Sequence, residues 1–189
     1  MAKRGARADT LTGGTRDVNP QFMSLGCTMA VANTTQVFAF GVPIQRINPA
    51  RPQKAITMEI LKVMWQAPAL GPIGAAAETA QSVQSYIATS DPGVTAVTTL
   101  ANPHVVDGFF KEREGAFTAA GTYASTDDSV EVHDLTDGSG HGVLIATDNI
   151  YIQVASTALA AVKTVNLKIL YRWKEVELVE YIGIVQSQQ

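Results

Sequence analysis

One cysteine, Cys27, stands in 189 residues, so the chain can close no internal disulfide and build no cysteine-based zinc centre, which suits a reducing compartment. Charge is scarce as well. Asp, Glu, Lys and Arg make up 16% of the sequence, against about 25% in an ordinary soluble domain. A surface so weakly charged is easily desolvated against other copies of itself. No apolar run approaches the roughly 18 residues of a transmembrane segment, and none is expected. The N-terminal residues are polar, with Gly and Asp where a secretory signal would need about 7 to 15 apolar residues. Together these shortages predict a soluble protein made in the cytoplasm. Only three histidines are present, which leaves little material for a histidine-rich metal centre.

What charge there is falls unevenly. Residues 1–17 hold Lys3, Arg4, Arg7 and Arg16 against Asp9 and Asp17, a net of +2, while the rest of the chain sets ten basic against fifteen acidic residues, a net of −5. A basic arm on an acidic body is an asymmetry with a physical meaning, since cations on a flexible segment can contact phosphates without regard to sequence. Residues 1–26 contain Gly13, Gly14, Asn19, Pro20 and Gly26 and keep no sustained period, so they read as an extended arm. The chain as a whole is 46% apolar, enough for residues 27–189 to form one well-filled domain.

Periodicity in that domain is that of strands. Val165, Leu167, Ile169, Tyr171 and Trp173 share one parity and Thr164, Asn166, Lys168, Arg172 and Lys174 the other, as in a half-solvated antiparallel strand. Past Trp173 the apolar positions change parity to Val176 and Leu178, which a bulge near Lys174-Glu175 or a short helix over 177–182 would produce. The segment 54–66 alternates through Ile56, Met58 and Ile60 and then through Leu61, Val63 and Trp65. It predicts a strand that bends or bulges near Leu61, with a helix as the competing assignment. Further strands are expected over 28–40, 82–89, 94–100, 116–124, 129–134, 143–147 and 150–157. The turn Asp91-Pro92-Gly93 would join the second and third of these as a hairpin. The proline-rich stretch 41–53 and the small-residue stretch 67–77 read as connections, and 102–115 as a short helix or an anchored loop. About nine or ten strands with uneven connections predict an all-β, two-sheet sandwich of jelly-roll or Greek-key type, because a lone sheet would leave an apolar face wet.

Chemistry-bearing clusters are few. His133, Asp134, Asp137, Ser139 and His141 contain the residue types of a nucleophilic triad, but Gly138-Ser139-Gly140 is not a strand-to-helix elbow, and no catalytic residue is assigned. His133, Asp134, Asp137 and His141 could meet a divalent cation. Calcium at a subunit boundary is conceivable, drawing oxygens also from Asp127, Asp128 and Asp148. Aspartate and glycine in such loops equally serve as turn formers. No glycine-rich phosphate cradle and no organic cofactor is indicated. Phe109 and Phe110 beside mixed charges, and the apolar residues Val176, Leu178, Tyr181 and Ile182 of the C-terminal tail, are candidate subunit contacts.

The arm MAKRGAR, the linker TGGTRDVNPQF, a weakly charged β-domain and the long amphipathic strand LKILYRWKEV together resemble, in layout, the single jelly-roll coat proteins of small icosahedral viruses. The resemblance implies a structural capsid protein of the virion, made in the host cytoplasm, whose copies form a large homo-oligomeric shell around a genome. Lys3, Arg4, Arg7 and Arg16 would then be the nucleic-acid contacts. The arm is less basic than in many coat proteins that package naked single-stranded genomes. Two other functions use the same framework. A binding or attachment module would recognise a glycan or protein through exposed aromatics such as Trp65, Tyr86, Phe109, Phe110 or Tyr151. A cupin-type enzyme would need histidines that this sequence does not supply.

Overall fold

The computed structural model describes residues 20–42, 47–48, 51–70, 81–113 and 130–188. Among them ten strands precede one helix: β1 (Gln21–Thr28), β2 (Thr35–Gly41), β3 (Ile47–Asn48), β4 (Arg51–Gln66), β5 (Gln81–Ala88), β6 (Val105–Arg113), β7 (Val130–Asp134), β8 (Val143–Ile145), β9 (Asn149–Thr157), β10 (Thr164–Glu177) and α1 (Leu178–Gln188). All pairings are antiparallel. One sheet runs β1-β10-β4, with β3, β8 and β7 sharing the far edge of β4, and the second runs β2-β9-β5-β6. The main pairings are nested: β1 with β10, β2 with β9, β4 with β7 and β8, and innermost β5 with the next strand, β6. Successive pairs alternate between sheets. That is the winding of a jelly roll, and it leaves the apolar face of each sheet against the other.

The ladder between β4 and β10 carries the phase of the sandwich. Its register skips Leu61, since Leu170 faces Lys62 while Tyr171 faces Ile60. The bulge expected near Leu61 is thus present. Because of it, Met58 and Ile60 before the bulge and Val63 and Trp65 after it all point into one core, together with Val165, Leu167 and Ile169 of β10 and Val83, Ile87, Phe109, Ile152 and Val154 of the opposite sheet. Each such side chain contributes about 1.5–3 kcal/mol when fully buried. Trp65 packs on Phe109 across the sheets with ring centroids 5.0 Å apart, and Cys27 lies in the same core, where burial pushes its thiol up to about 12. It stays protonated and inert at neutral pH.

Several sequence expectations shift in register. Residues 21–26, assigned to the arm, are the first six residues of β1 and pair with 166–171; Met23, Leu25 and Cys27 alternate inward there. The connection expected over 41–53 contains β3 and the start of β4. The stretch 102–115, read as helix or loop, is largely β6, because Asp107 and Phe109 face inward while Phe110 faces out. No strand forms over 94–100. Residues 91–104 instead fold over the outer face of the second sheet, and the buried amide of Gln153 holds them: it donates to the carbonyls of Gly93 (2.8 Å) and Ala96 (3.0 Å) and accepts from the N–H of Thr98 (2.7 Å). The expected strand at 116–124 lies outside the described residues.

At the C-terminus no bulge interrupts β10 near Lys174, where the register with β4 runs unbroken to Glu177. Val176 is apolar because its face of the sheet is covered. α1 packs there, and Ala55, Ala146, Val176 and Tyr181 form a second small core with Leu144, Leu178, Ile184 and Val185. The side-chain amide of Gln188 completes the join, accepting from the N–H of Ala146 (2.9 Å) and donating to the carbonyl of Leu144 (2.6 Å). Among the described residues no helix is long and apolar enough to cross a membrane.

Gln153 offers a direct test of the loop anchor. Gln153→Ala strands three backbone groups and is expected to cost about 2–4 kcal/mol, measured by urea denaturation, with faster amide exchange confined to residues 93–98. Unchanged exchange there would remove Gln153 from this role.

Candidate functional site

The outer face of the β1-β10-β4 sheet is where most of the outward-pointing charge of β4 and β10 meets, and it divides into a covered and an open half. On the covered half Glu59 is 0% exposed although it carries a carboxylate. β10 supplies the partners directly across the ladder. The Arg172 guanidinium donates through Nε to one carboxylate oxygen, Lys174 Nζ lies 3.3 Å from the other, and the N–H of Gly142 donates to that same oxygen at 3.0 Å. Burial alone would raise the Glu59 pKa, but Arg172, the Gly142 N–H and Lys174 together outweigh it and hold the carboxyl below its usual range.

The same node fastens the loop 135–142. Arg172 Nη2 donates to the Gly140 carbonyl at 3.0 Å, and the N–H of Leu135 donates to the carbonyl of the bulged Leu61 at 2.9 Å. Gly142 comes so close to β4 that a Cβ there would lie 2.0 Å from the Ile60 carbonyl oxygen. Only glycine fits. Within the loop, Asp137 accepts from the N–H groups of Ser139 (2.8 Å) and His141 (3.1 Å) and contacts His141 Nδ1 (3.0 Å).

Those contacts decide the fate of the four expected metal ligands. Asp137 and His141 close their own loop. Asp134 points to the outer face, where the Thr136 hydroxyl, the Lys62 ammonium and the Thr136 N–H hold its carboxyl at about 2. His133 points the other way, toward the second sheet: its Nδ1 is 2.8 Å from Asp107 Oδ1, and the other Asp107 oxygen accepts from Trp65 Nε1 at 2.8 Å. The strand alternation at 133 and 134 separates the pair. The four side chains do not converge, and among the described residues no three His, Cys, Asp or Glu side chains are grouped to hold a metal ion. Asp107 is instead a clamp between the sheets.

The expected subunit contacts divide similarly. Phe109 is 4% exposed and belongs to the core with Trp65, while Val176 is buried under α1 and Tyr181 of α1 is buried against the sheet within the same chain. All three are corrected to internal packing, because the alternation of β6 and the second small core enclose them. Phe110 (52% exposed) and Ile182 (47%) remain at the surface, and Leu178 is partly covered. Lys3, Arg4, Arg7 and Arg16 lie outside the described residues.

The open half of the face is a groove of about 530 Å³ across β1, β10, β4 and β7, lined by Ser24, Gly26, Met64, Gln66, Val130, Asn166 and Lys168 among others. Phe22, 59% exposed, stands beside it, with the Lys168 ammonium 5.4 Å above its ring centre. Nothing in this arrangement is a nucleophile, an acid–base pair or a phosphate cradle.

No protein-family model matches the sequence, and no curated protein matches it. Solved structures do match the fold. The unassembled pentamer of Merkel cell polyomavirus VP1 superposes with a TM-score of 0.52 at 9% identity, over 88% of this chain and 99% of that one. VP1 of Trichodysplasia spinulosa-associated polyomavirus in complex with 3′-sialyllactose gives 0.51 at 10% identity, over 86% and 98%. The chain has the two-sheet jelly-roll layout of these coat proteins. At such identity the likeness is one of fold.

The Glu59 node carries a pH signature. Its carboxyl is depressed in the folded state, so its contribution is complete above the unfolded value of about 4.3 and is lost as pH falls through the lower folded value. Glu59→Gln is expected to cost about 2–4 kcal/mol at pH 7, and the gap between the denaturation curves of variant and parent should begin to narrow as pH falls through about 4.3 and close as it passes below the depressed folded value. A gap that stays constant with pH would show that Glu59 is not the titrating group.

Proposed function

We propose that the chain is a viral coat protein whose copies assemble into a closed icosahedral shell around the genome. The observation that carries this is the jelly-roll winding itself, matched over nearly the full length of VP1 coat proteins from two polyomaviruses. The sparse charge supports it, since a surface with 16% ionisable residues loses little on desolvation against its neighbours. The virion is the implied location, after synthesis in the host cytoplasm. In the shell Lys3, Arg4, Arg7 and Arg16 would face the genome, each arm neutralising about four phosphates at most, with avidity across many copies supplying the affinity.

Attachment to a glycan is the weaker alternative. One of the VP1 structures similar in fold holds 3′-sialyllactose, but Trp65 and Phe109 of this chain are spent in the core.

Purified protein examined by multi-angle light scattering and negative-stain microscopy should yield uniform hollow particles. A monodisperse monomer at high concentration would overturn the shell. Removing residues 1–16 should lower the nucleic acid recovered with the particles, read as the 260/280 nm absorbance ratio, while leaving their size unchanged. Equal nucleic acid content would acquit the arm.

A further inference from the structure

We infer that the open groove on the outer face of the β1-β10-β4 sheet receives the outward side of α1 from a second copy of this chain. The inference rests on the shell function proposed above and names one contact by which it would be built. Its starting point is that α1 is apolar on two sides. One side is used at home, where Leu178, Tyr181, Ile184 and Val185 pack on Ala55, Ala146 and Val176. The other side presents Val179, 83% exposed, and Ile182, 47% exposed, one turn apart. A helix with two apolar sides needs two partners. Gly183 follows with open space where a Cβ would stand, so the helix can approach a flat surface closely.

The groove supplies the complementary features. Met64 and Val130 line it, and the exposed Val132 pairs with Met64 across the β4–β7 ladder. Gly26, which has no side chain, lines it beside Asn166. Charge agrees in sign. The Lys62 ammonium on this face is already met by Asp134 at 3.0 Å, but Lys168 rests over Phe22 and meets no carboxylate among the described residues. α1 carries one acidic residue, Glu180, in its first turn and no basic residue in its last. Glu180 is exposed and ion-paired with nothing among the described residues. A carboxylate beside Val179 would meet Lys168 as the apolar ridge enters the groove. The donor and acceptor surfaces differ, so the contact is head-to-tail and propagates from copy to copy, closing where the rotation allows.

The test is a charge exchange in the full chain, read by sedimentation velocity across a concentration series with particle counts by microscopy. Lys168→Glu and Glu180→Lys should each weaken association by about threefold to tenfold at low salt, and the double variant should recover most of it. Val179→Asp, which places a charge in the apolar centre, should weaken association on the order of 100-fold. All three side chains are at the surface, so thermal melting should shift little, and circular dichroism confirms that each variant is folded. Particles that form equally well in every variant would overturn this contact and leave the shell standing. A parent protein that stays monomeric would overturn both. If Lys168→Glu instead reduces binding of a single-stranded oligothymidine probe with association untouched, the groove is a nucleic-acid surface and the inference fails.

Discussion

The extra residue at Leu61 is the constraint on which the rest of the sandwich depends. A strand of sixteen residues that twists along a fourteen-residue partner cannot keep one parity inward over its whole length without drifting out of phase with the opposite sheet. Inserting Leu61 resets the count. Ile60 and Val63 then both reach the core, Lys62 and Glu59 both reach the outer face, and each half of β4 faces a different set of neighbours on its far edge. The reset also turns the Leu61 carbonyl away from the ladder toward Leu135. The loop after β7 is fixed at the point where the strand changes phase.

From that point the outer face acquires its two characters. Upstream of the bulge, the loop 135–142 and α1 close over Thr57, Glu59 and Val176, and the enclosed Glu59 needs Arg172 and Lys174 to be tolerated at all. Downstream, nothing among the described residues lies over Met64, Gln66 and Asn166. One strand thus carries a buried ionic node and an open groove on the same face. The difference arises from what the bulge allows to dock.

The sequence displays the parity of β10, the bulge in β4, most strand positions and the jelly-roll class, because alternation on half-buried strands is written directly in residue type. It hides features that depend on register. Glu59 looks like any outward-facing strand residue until Arg172 and Lys174 are known to lie opposite. Gln153 looks like a polar residue on the outside of a strand, yet it holds a loop 55 to 60 residues away. The misread 94–100 segment has the β-branched content of a strand, but Gln153 satisfies its backbone in place of a ladder. Val176 gave a true signal with an incomplete cause: its parity change reports a covering helix, which was one of the two explanations open to sequence.

The distribution of charge bears on what this face can contact. β4 and β10 bring four cations, Lys62, Lys168, Arg172 and Lys174, to the outer surface, a placement that would suit a polyanion if they were free. They are not. Asp134 holds Lys62, and Glu59 divides itself between Arg172 and Lys174, leaving Lys168 as the one of the four that meets no carboxylate among the described residues. A face built to bind nucleic acid loses by neutralising three of its four cations internally. A face built to be covered by another copy gains, since each internal pair lowers the desolvation cost of closing the contact and the remaining charge can select its partner.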